Sequence, residues 1–334
     1  MKWIFGLAAV AVTAALGGGI ARAEVSSLKI TKQPGLMYLQ IVLLEEKKLL
    51  EKHAALQGLP ELKAEWVMLS SGGAATDALL AGSVDIVTSG VSNMLLLWGK
   101  TNGEVKAVNA VGGMPFMLVT RNPNVKSLKD FTVTDRIAVP TIRVSMQSIT
   151  LAIALDKLYN GEPGAHEKLL ANQVQMGHPD AMAALLTPPN EVNTHFGNPP
   201  YQEMELKDPR MHVVLNSIDA LGGPAHVTVS FATTKFHDAN PKTLKAYLAA
   251  IDEASEIIVK DPLAAAKSYL ALNKEKFTAE ELAAIISQKG AIYQAAPVRT
   301  MVYAEAMNKF GYVKKKVTGW KEYFFAELHG RDGS

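Results

Sequence analysis

Apolar and polar positions along the chain switch repeatedly between two periods, and the switching predicts an α/β protein. Short runs of β-branched and other apolar residues predict strands over residues 28–31, 65–69, 84–88, 105–111, 116–120, 136–139, 173–177, 192–195, 212–215 and 227–232. Longer stretches with helical spacing lie between them, including 74–81, stopped by Gly82, and 145–159, stopped by Asn160-Gly161. Strands separated by helices favour mostly parallel sheets, because a parallel pair needs a crossover long enough to hold a helix.

Beyond Ala232 the strand signals cease. Asn240-Pro241 predicts an N-cap followed by proline in the first helical turn, and Leu244, Tyr247, Leu248, Ile251 and Ile258 then share one face. Asp261-Pro262 repeats the start signal, and Thr278 with Glu281 forms a T-x-x-E capping box for a helix ended by Gly290. No repeat or low-complexity tether appears, so two lobes joined by strands are expected, the late helices covering the first.

The N-terminal segment changes this picture. Lys2, the apolar run from Trp3 to Leu16 and the small residues ending in Ala21-Arg22-Ala23 have the layout of a cleaved secretory signal, residues 1–23. The run is too short to span a membrane, and no later stretch reaches about 18 uninterrupted apolar residues. A periplasmic chain of 311 residues beginning at Glu24 is therefore expected. Removing Lys2 and Arg22 from the 34 basic residues leaves 32 against 32 acidic ones, so no strong field favours a nucleic acid or a membrane surface. With no cysteine, the chain relies on its core rather than disulfides, and thiol chemistry, cysteine metal sites and a lipoprotein anchor are excluded.

Candidate chemistry sits where an open α/β sheet binds ligands, beyond the carboxyl ends of strands and at helix N-termini. Small or hydroxyl-bearing loops occupy these places: Lys32-Gln33-Pro34-Gly35, Ser70-Ser71-Gly72-Gly73 and Ser89-Gly90-Val91-Ser92 in the first half. The second half supplies Thr141-Ile142-Arg143-Val144-Ser145, Gly177-His178-Pro179-Asp180 and His195-Phe196-Gly197-Asn198-Pro199-Pro200. In Ser70–Gly73, glycines admit close backbone approach and serines donate or accept, although Ser71 alone would serve as an ordinary N-cap. Arg143 has the guanidinium that could hold a carboxylate, sulfonate or nitrate by two bonds; the alternative is a solvated, salt-bridged arginine. If Arg143 is a contact, Arg143→Ala weakens anion binding at least tenfold. His178 could contact ligand or simply start a helix, and His195 could form a wall or finish a strand. No nucleotide loop, nucleophile elbow or zinc signature occurs, and the pairs Glu45-Glu46 and Glu280-Glu281 fall on solvated helix faces. No enzyme activity, cofactor or metal is expected.

The order of these motifs resembles the nitrate, sulfonate, taurine and thiamine-precursor substrate-binding proteins of ABC importers. The similar stretches are the strand at Lys29-Ile30 leading to Pro34-Gly35, SSGGAATDALLAGSVDIVTSG (70–90), PFMLVTRNPNVKSLKDFTVTDRIAVP (115–140), EVNTHFGNPPY (191–201) and the segment from Phe231 to Ala271. The resemblance implies a two-lobed clamshell of the type II periplasmic-binding class, with lobe I at 24–117 plus 228–334 and lobe II at 118–227. It further implies a monomer that hands a small anion to a permease and its ATPase. By position it assigns ligand contacts to Gln33, Ser70, Ser71, Gly72, Gly73, Ser89, Gly90, Arg143, Ser145, His178 and His195. Members often carry a Gly-Ser-rich loop where this chain has Thr141–Ser145, and some have an aromatic and acidic pair where it has Thr194–Pro199, so ligand identity does not transfer. Two alternatives stand beside this one: a binding protein that feeds a membrane sensor, and a same-fold pyrimidine-synthesis enzyme whose cysteine-rich motif is absent here.

Overall fold

Twelve strands form in the computed structural model, which describes residues 23–274 and 276–334. The secretory signal expected over residues 1–23 lies, but for Ala23, outside the described residues. The strands are β1 (Ser27–Lys32), β2 (Lys63–Met68), β3 (Val87–Gly90), β4 (Val105–Ala110), β5 (Gly112–Gly113), β6 (Met117–Thr120), β7 (Ile137–Val139), β8 (Gln173–Gln175), β9 (Thr194–Phe196), β10 (His212–Asn216), β11 (Thr228–Thr233) and β12 (Ile292–Tyr293). Ten of them fall where the apolar runs place them. The two others, β5 and β12, pair antiparallel with each other, and β12 corrects the expectation that strands cease after Ala232. Two residues are too few to show a period, and Gly112-Gly113 has no side chains with which to show one.

The strands form two groups. In the first, β1 pairs parallel with β2, an Ile30–Ile86 bridge ties β1 to the strand leading into β3, and β11 lies antiparallel between β3 and β4. In the second, the order is β10-β6-β9-β7-β8, with β7 parallel to β8 and β9 and with β6 antiparallel to β9 and β10. Both groups are mixed where mostly parallel sheets are expected, and the antiparallel members have a common origin. β6 carries the chain into the second group and β11 returns it to the first, and each runs against its neighbours. The two crossings lie side by side: Val111 N–H donates to Thr228 O at 2.9 Å, and Val227 N–H donates to Gly112 O at 3.1 Å.

Trp98, Phe116, Phe231, Tyr247, Tyr303 and Tyr323 are fully buried in the main core. The helix Pro241–Lys260 covers the first group with Leu244, Tyr247, Ile251 and Ile258, each worth roughly 1.5–3 kcal/mol when buried. Its N-terminus is capped otherwise than expected. The Asn240 side chain accepts from Val25 N at 3.0 Å, while the Glu24 carboxylate accepts from Lys242 N at 2.9 Å and Thr243 N at 2.7 Å. A carboxylate there meets both the unpaired N–H groups and the positive end of the helix dipole. The Asp261 cap and the Thr278–Glu281 capping box form as expected.

Candidate functional site

Four helices begin at the gap between the two groups, two from each side: Gly72–Leu80, Val91–Lys100, Met146–Leu158 and His178–Leu186. Each follows a strand that ends at the gap. Ser71 caps the first by accepting from Ala74 N at 3.3 Å, and Ser145 caps the third by accepting from Ser148 N at 3.3 Å. Gly90 and Gly177 cap the other two without a side chain, and after Gly90 the Val91 N–H donates to Val227 O at 3.0 Å and the Ser92 N–H to Met146 Sδ at 3.3 Å. The gap is closed. Ser92 Oγ donates to Val144 O at 2.5 Å, Leu36 N–H donates to Pro199 O at 2.9 Å, and the pairs Lys207–Glu281 and Lys309–Asp156 bridge its rim at 2.8 and 2.6 Å.

The cavity there measures about 50 Å³, room for a few water-sized groups. Of the residues expected at the site, Gln33, Ser70, Gly72, Ser89, Gly90, Ser145 and His178 line it. Ser71, Gly73, Arg143 and His195 do not. Ser71 is occupied as a cap, Gly73 faces Thr141 at the rim, and His195 lies behind His178. Tyr38, Asn93 and Gln147, outside the candidate loops, also line the cavity, as does Asn198, which lies in the candidate loop His195–Pro200 but is not among the assigned contacts. Asn198 Oδ1 is buried there without a partner, and such an atom costs about 1–3 kcal/mol until something donates to it.

Arg143 corrects the anion argument built on it. Its backbone takes the left-handed conformation, φ 62°, its N–H donates to Ser148 Oγ at 2.8 Å, and its guanidinium pairs with Glu167 at 2.9 Å. With its side chain 51% exposed, this is the solvated ion pair weighed as the alternative. Arg143→Ala is therefore expected to leave ligand affinity within about threefold of the parent, since exposed pairs contribute about 1 kcal/mol or less. Isothermal titration with a bound anion checks it, and a tenfold loss would return Arg143 to the site.

Among the described residues, no lysine, arginine, aspartate or glutamate lines the cavity. Its polarity comes from neutral amides and hydroxyls, from His178 and from the four helix ends, each carrying about half a positive charge. Below the floor, Thr88, Ser230 and Tyr247 form a buried hydroxyl chain, at 3.1 and 2.8 Å, that fixes β3 to β11. Behind His178, the rings of His178 and His195 meet at 2.9 Å, and His195 meets the Glu205 carboxylate at 2.5 Å. Burial, then the neighbouring His195, holds His178 well below the ordinary histidine range.

Glu203, next to this group, is pushed up to about 7 by burial, against a hydrogen bond from Gln202 and with the Glu205 charge adding to the rise. The folded chain thus keeps a proton at Glu203 that the unfolded chain releases near 4.5, so stability is lost as pH climbs from 4.5 to about 7. Glu203→Gln is expected to stabilise the protein by on the order of 2 kcal/mol at about pH 8 and negligibly at about pH 4. Urea denaturation at the two pH values checks this, and an equal effect at both would contradict it.

No protein-family model and no curated protein matches the chain. Solved structures do match. The alkanesulfonate-binding protein SsuA from Xanthomonas axonopodis pv. citri, bound to MOPS, superposes with a TM-score of 0.70 at 16% identity, over 91% of this chain and 99% of that one. The periplasmic aliphatic sulphonate binding protein SsuA from Escherichia coli gives 0.65 at 18%, over 91% and 99%. A Candida albicans protein described as having the generic periplasmic binding protein fold gives 0.66 at 12%, over 90% and 96%. The chain has the periplasmic-binding-protein fold. Its two groups of strands are the two lobes of that fold, and the cavity occupies the cleft between them. Among the described residues no helix is long and apolar enough to cross a membrane, and no three His, Cys, Asp or Glu side chains are grouped to hold a metal ion.

Proposed function

We propose that this chain is the periplasmic solute-binding component of an ABC importer, which captures a small sulfonate- or carboxylate-type anion in the cleft and passes it to the permease and its ATPase. One observation carries the reading: four helix N-termini, two from each lobe, converge on a cavity that, among the described residues, no acidic side chain lines. Backbone N–H groups and helix dipoles aimed at one point favour negative charge there. The sulfonate-binding function named for two structures of the same fold agrees with it.

In this account the lobes are residues 24–117 plus 228–334 and residues 118–227, and the paired crossings form the hinge. A ligand touching all four helix ends meets them together only when the cleft is shut, so binding shifts the population toward the closed form. Micromolar capture needs about 8 kcal/mol net, which several desolvated N–H and amide contacts can supply and one exposed ion pair cannot. We read the chain as a binder rather than an enzyme: His178 Nε2 meets the Gln147 amide at 3.4 Å, and no activated nucleophile accompanies it among the described residues.

Thermal unfolding of the purified protein against ethanesulfonate, taurine, nitrate, bicarbonate, aromatic carboxylates and hydroxymethylpyrimidine tests the reading. An anion at 100 times its Kd is expected to add roughly 2.7 kcal/mol of stability. A response to the neutral pyrimidine alone would overturn the anion assignment.

A further inference from the structure

Behind the cavity lies a chain of titratable side chains that capture by helix ends does not require. His178 lines the cavity, its Nδ1 faces His195 Nε2 at 2.9 Å, and His195 Nδ1 faces Glu205 Oε1 at 2.5 Å. His195 and Glu205 are wholly inaccessible to solvent, and Glu205 Oε2 has no partner. Interior ionisable groups of this kind are costly unless they share charge, whereas apolar residues at the same places would cost nothing comparable.

Each of the two short contacts needs one proton between its atoms. With two protons, His178 Nδ1 donates to His195, His195 Nδ1 donates to the Glu205 carboxylate, and His178 Nε2 carries a lone pair toward the amide of Gln147, which also lines the cavity. The trio then bears one negative charge behind the site and repels an anion. A third proton, on His178 Nε2, makes that atom a donor and brings the trio to zero net charge, with the positive charge shared by two imidazoles and balanced by Glu205.

The surrounding ionisable groups do not replace this proton. Asp180 lies on the same helix as His178, Tyr201 stacks on the His178 ring at 6.1 Å between centroids, Glu203 adjoins Glu205, and Tyr38 lines the cavity. All are acidic or neutral. From β7 and from the segment entering β9, the neighbours of this helix are Ala138 and Val192, both apolar.

Resting on the anion-capture reading above, we propose that the cleft takes up one proton with its ligand: His178 Nε2 is protonated as the anion binds, and His195 and Glu205 are positioning residues that hold the compensating charge. In the empty site, burial keeps His178 neutral at physiological pH, and an anion in contact raises its proton affinity. Between the empty and occupied values, ligand affinity falls about tenfold for each unit of rising pH.

The test is titration calorimetry of the intact protein with ethanesulfonate, whose own acid is too strong to hold a proton in water. Two sulfonate-free buffers of different ionisation heat report the protons exchanged. At about pH 7.5 the expected uptake is close to one proton per anion, with the tenfold-per-unit slope in affinity. Glu205→Gln removes the counter-charge, and its uptake is expected to fall toward zero while binding persists. The wild-type stoichiometry decides the matter even where that variant folds poorly. Ethanesulfonate binding with no uptake and a flat pH profile overturns the coupling and leaves anion capture standing. Failure to bind at any pH overturns both.

Discussion

Gly90→Val is expected to abolish tight binding while the protein stays folded. Gly90 has φ −60° and ψ 145°, extended backbone that valine prefers, so the glycine is not needed for its conformation. It is needed for space. A Cβ added there would lie 2.8 Å from Met146 Cγ, a side chain of the opposite lobe, and 3.1 Å from Asn93 Oδ1 of its own. The tighter conflict exists only when the lobes meet. Valine holds Met146 away, the Ser92–Val144 hydrogen bond opens, and an anion reaches the helix ends of one lobe instead of both. Affinity is expected to drop at least a hundredfold, about 2.7 kcal/mol, with the melting temperature of the ligand-free protein nearly unchanged. Solution scattering is expected to show no contraction of the variant on adding anion. Wild-type affinity in Gly90→Val would mean that closure is not part of capture.

The second large effect is on folding. Gly112→Ala is expected to cost on the order of 3 kcal/mol or more, because the new Cβ would lie 2.4 Å from the Met37 carbonyl oxygen. Gly113 is hemmed in similarly, 2.7 Å from Ala225 O. Both obstacles are backbone, so no rotamer change relieves them, and the strain falls on the crossing between the lobes. A shifted midpoint in urea denaturation measures the loss. A change below about 1 kcal/mol would show that the crossing yields more readily than its contacts indicate.

These effects follow from long-range juxtaposition, which is also where sequence reading ran out. Strands and most caps are local, and they were legible: Ser71, Asp261 and the Thr278–Glu281 box each act within one helical turn. The cavity's loops were legible too, since each lies between a strand and a helix start. Arg143 was misplaced because its partner Glu167 is remote in sequence, and apolar neighbours such as Val144 and Met146 suggested burial that the left-handed turn avoids. Asn93 and Gln147 lie in the first turns of cavity helices, one step past the loops that drew attention, so extending each loop into its helix would have found them. Glu205 lies ten residues beyond His195 on a separate helix, Tyr201–Glu205, and no spacing rule connects the two.

A crystal structure of the protein grown with ethanesulfonate bears most directly on the central claim. The account predicts a sulfonate in the cleft, its oxygens within hydrogen-bond distance of first-turn N–H groups near Gly72, Gly90, Ser145 and His178, with contacts to both lobes. A sulfonate bound outside the cleft, or held by one lobe alone, would contradict it.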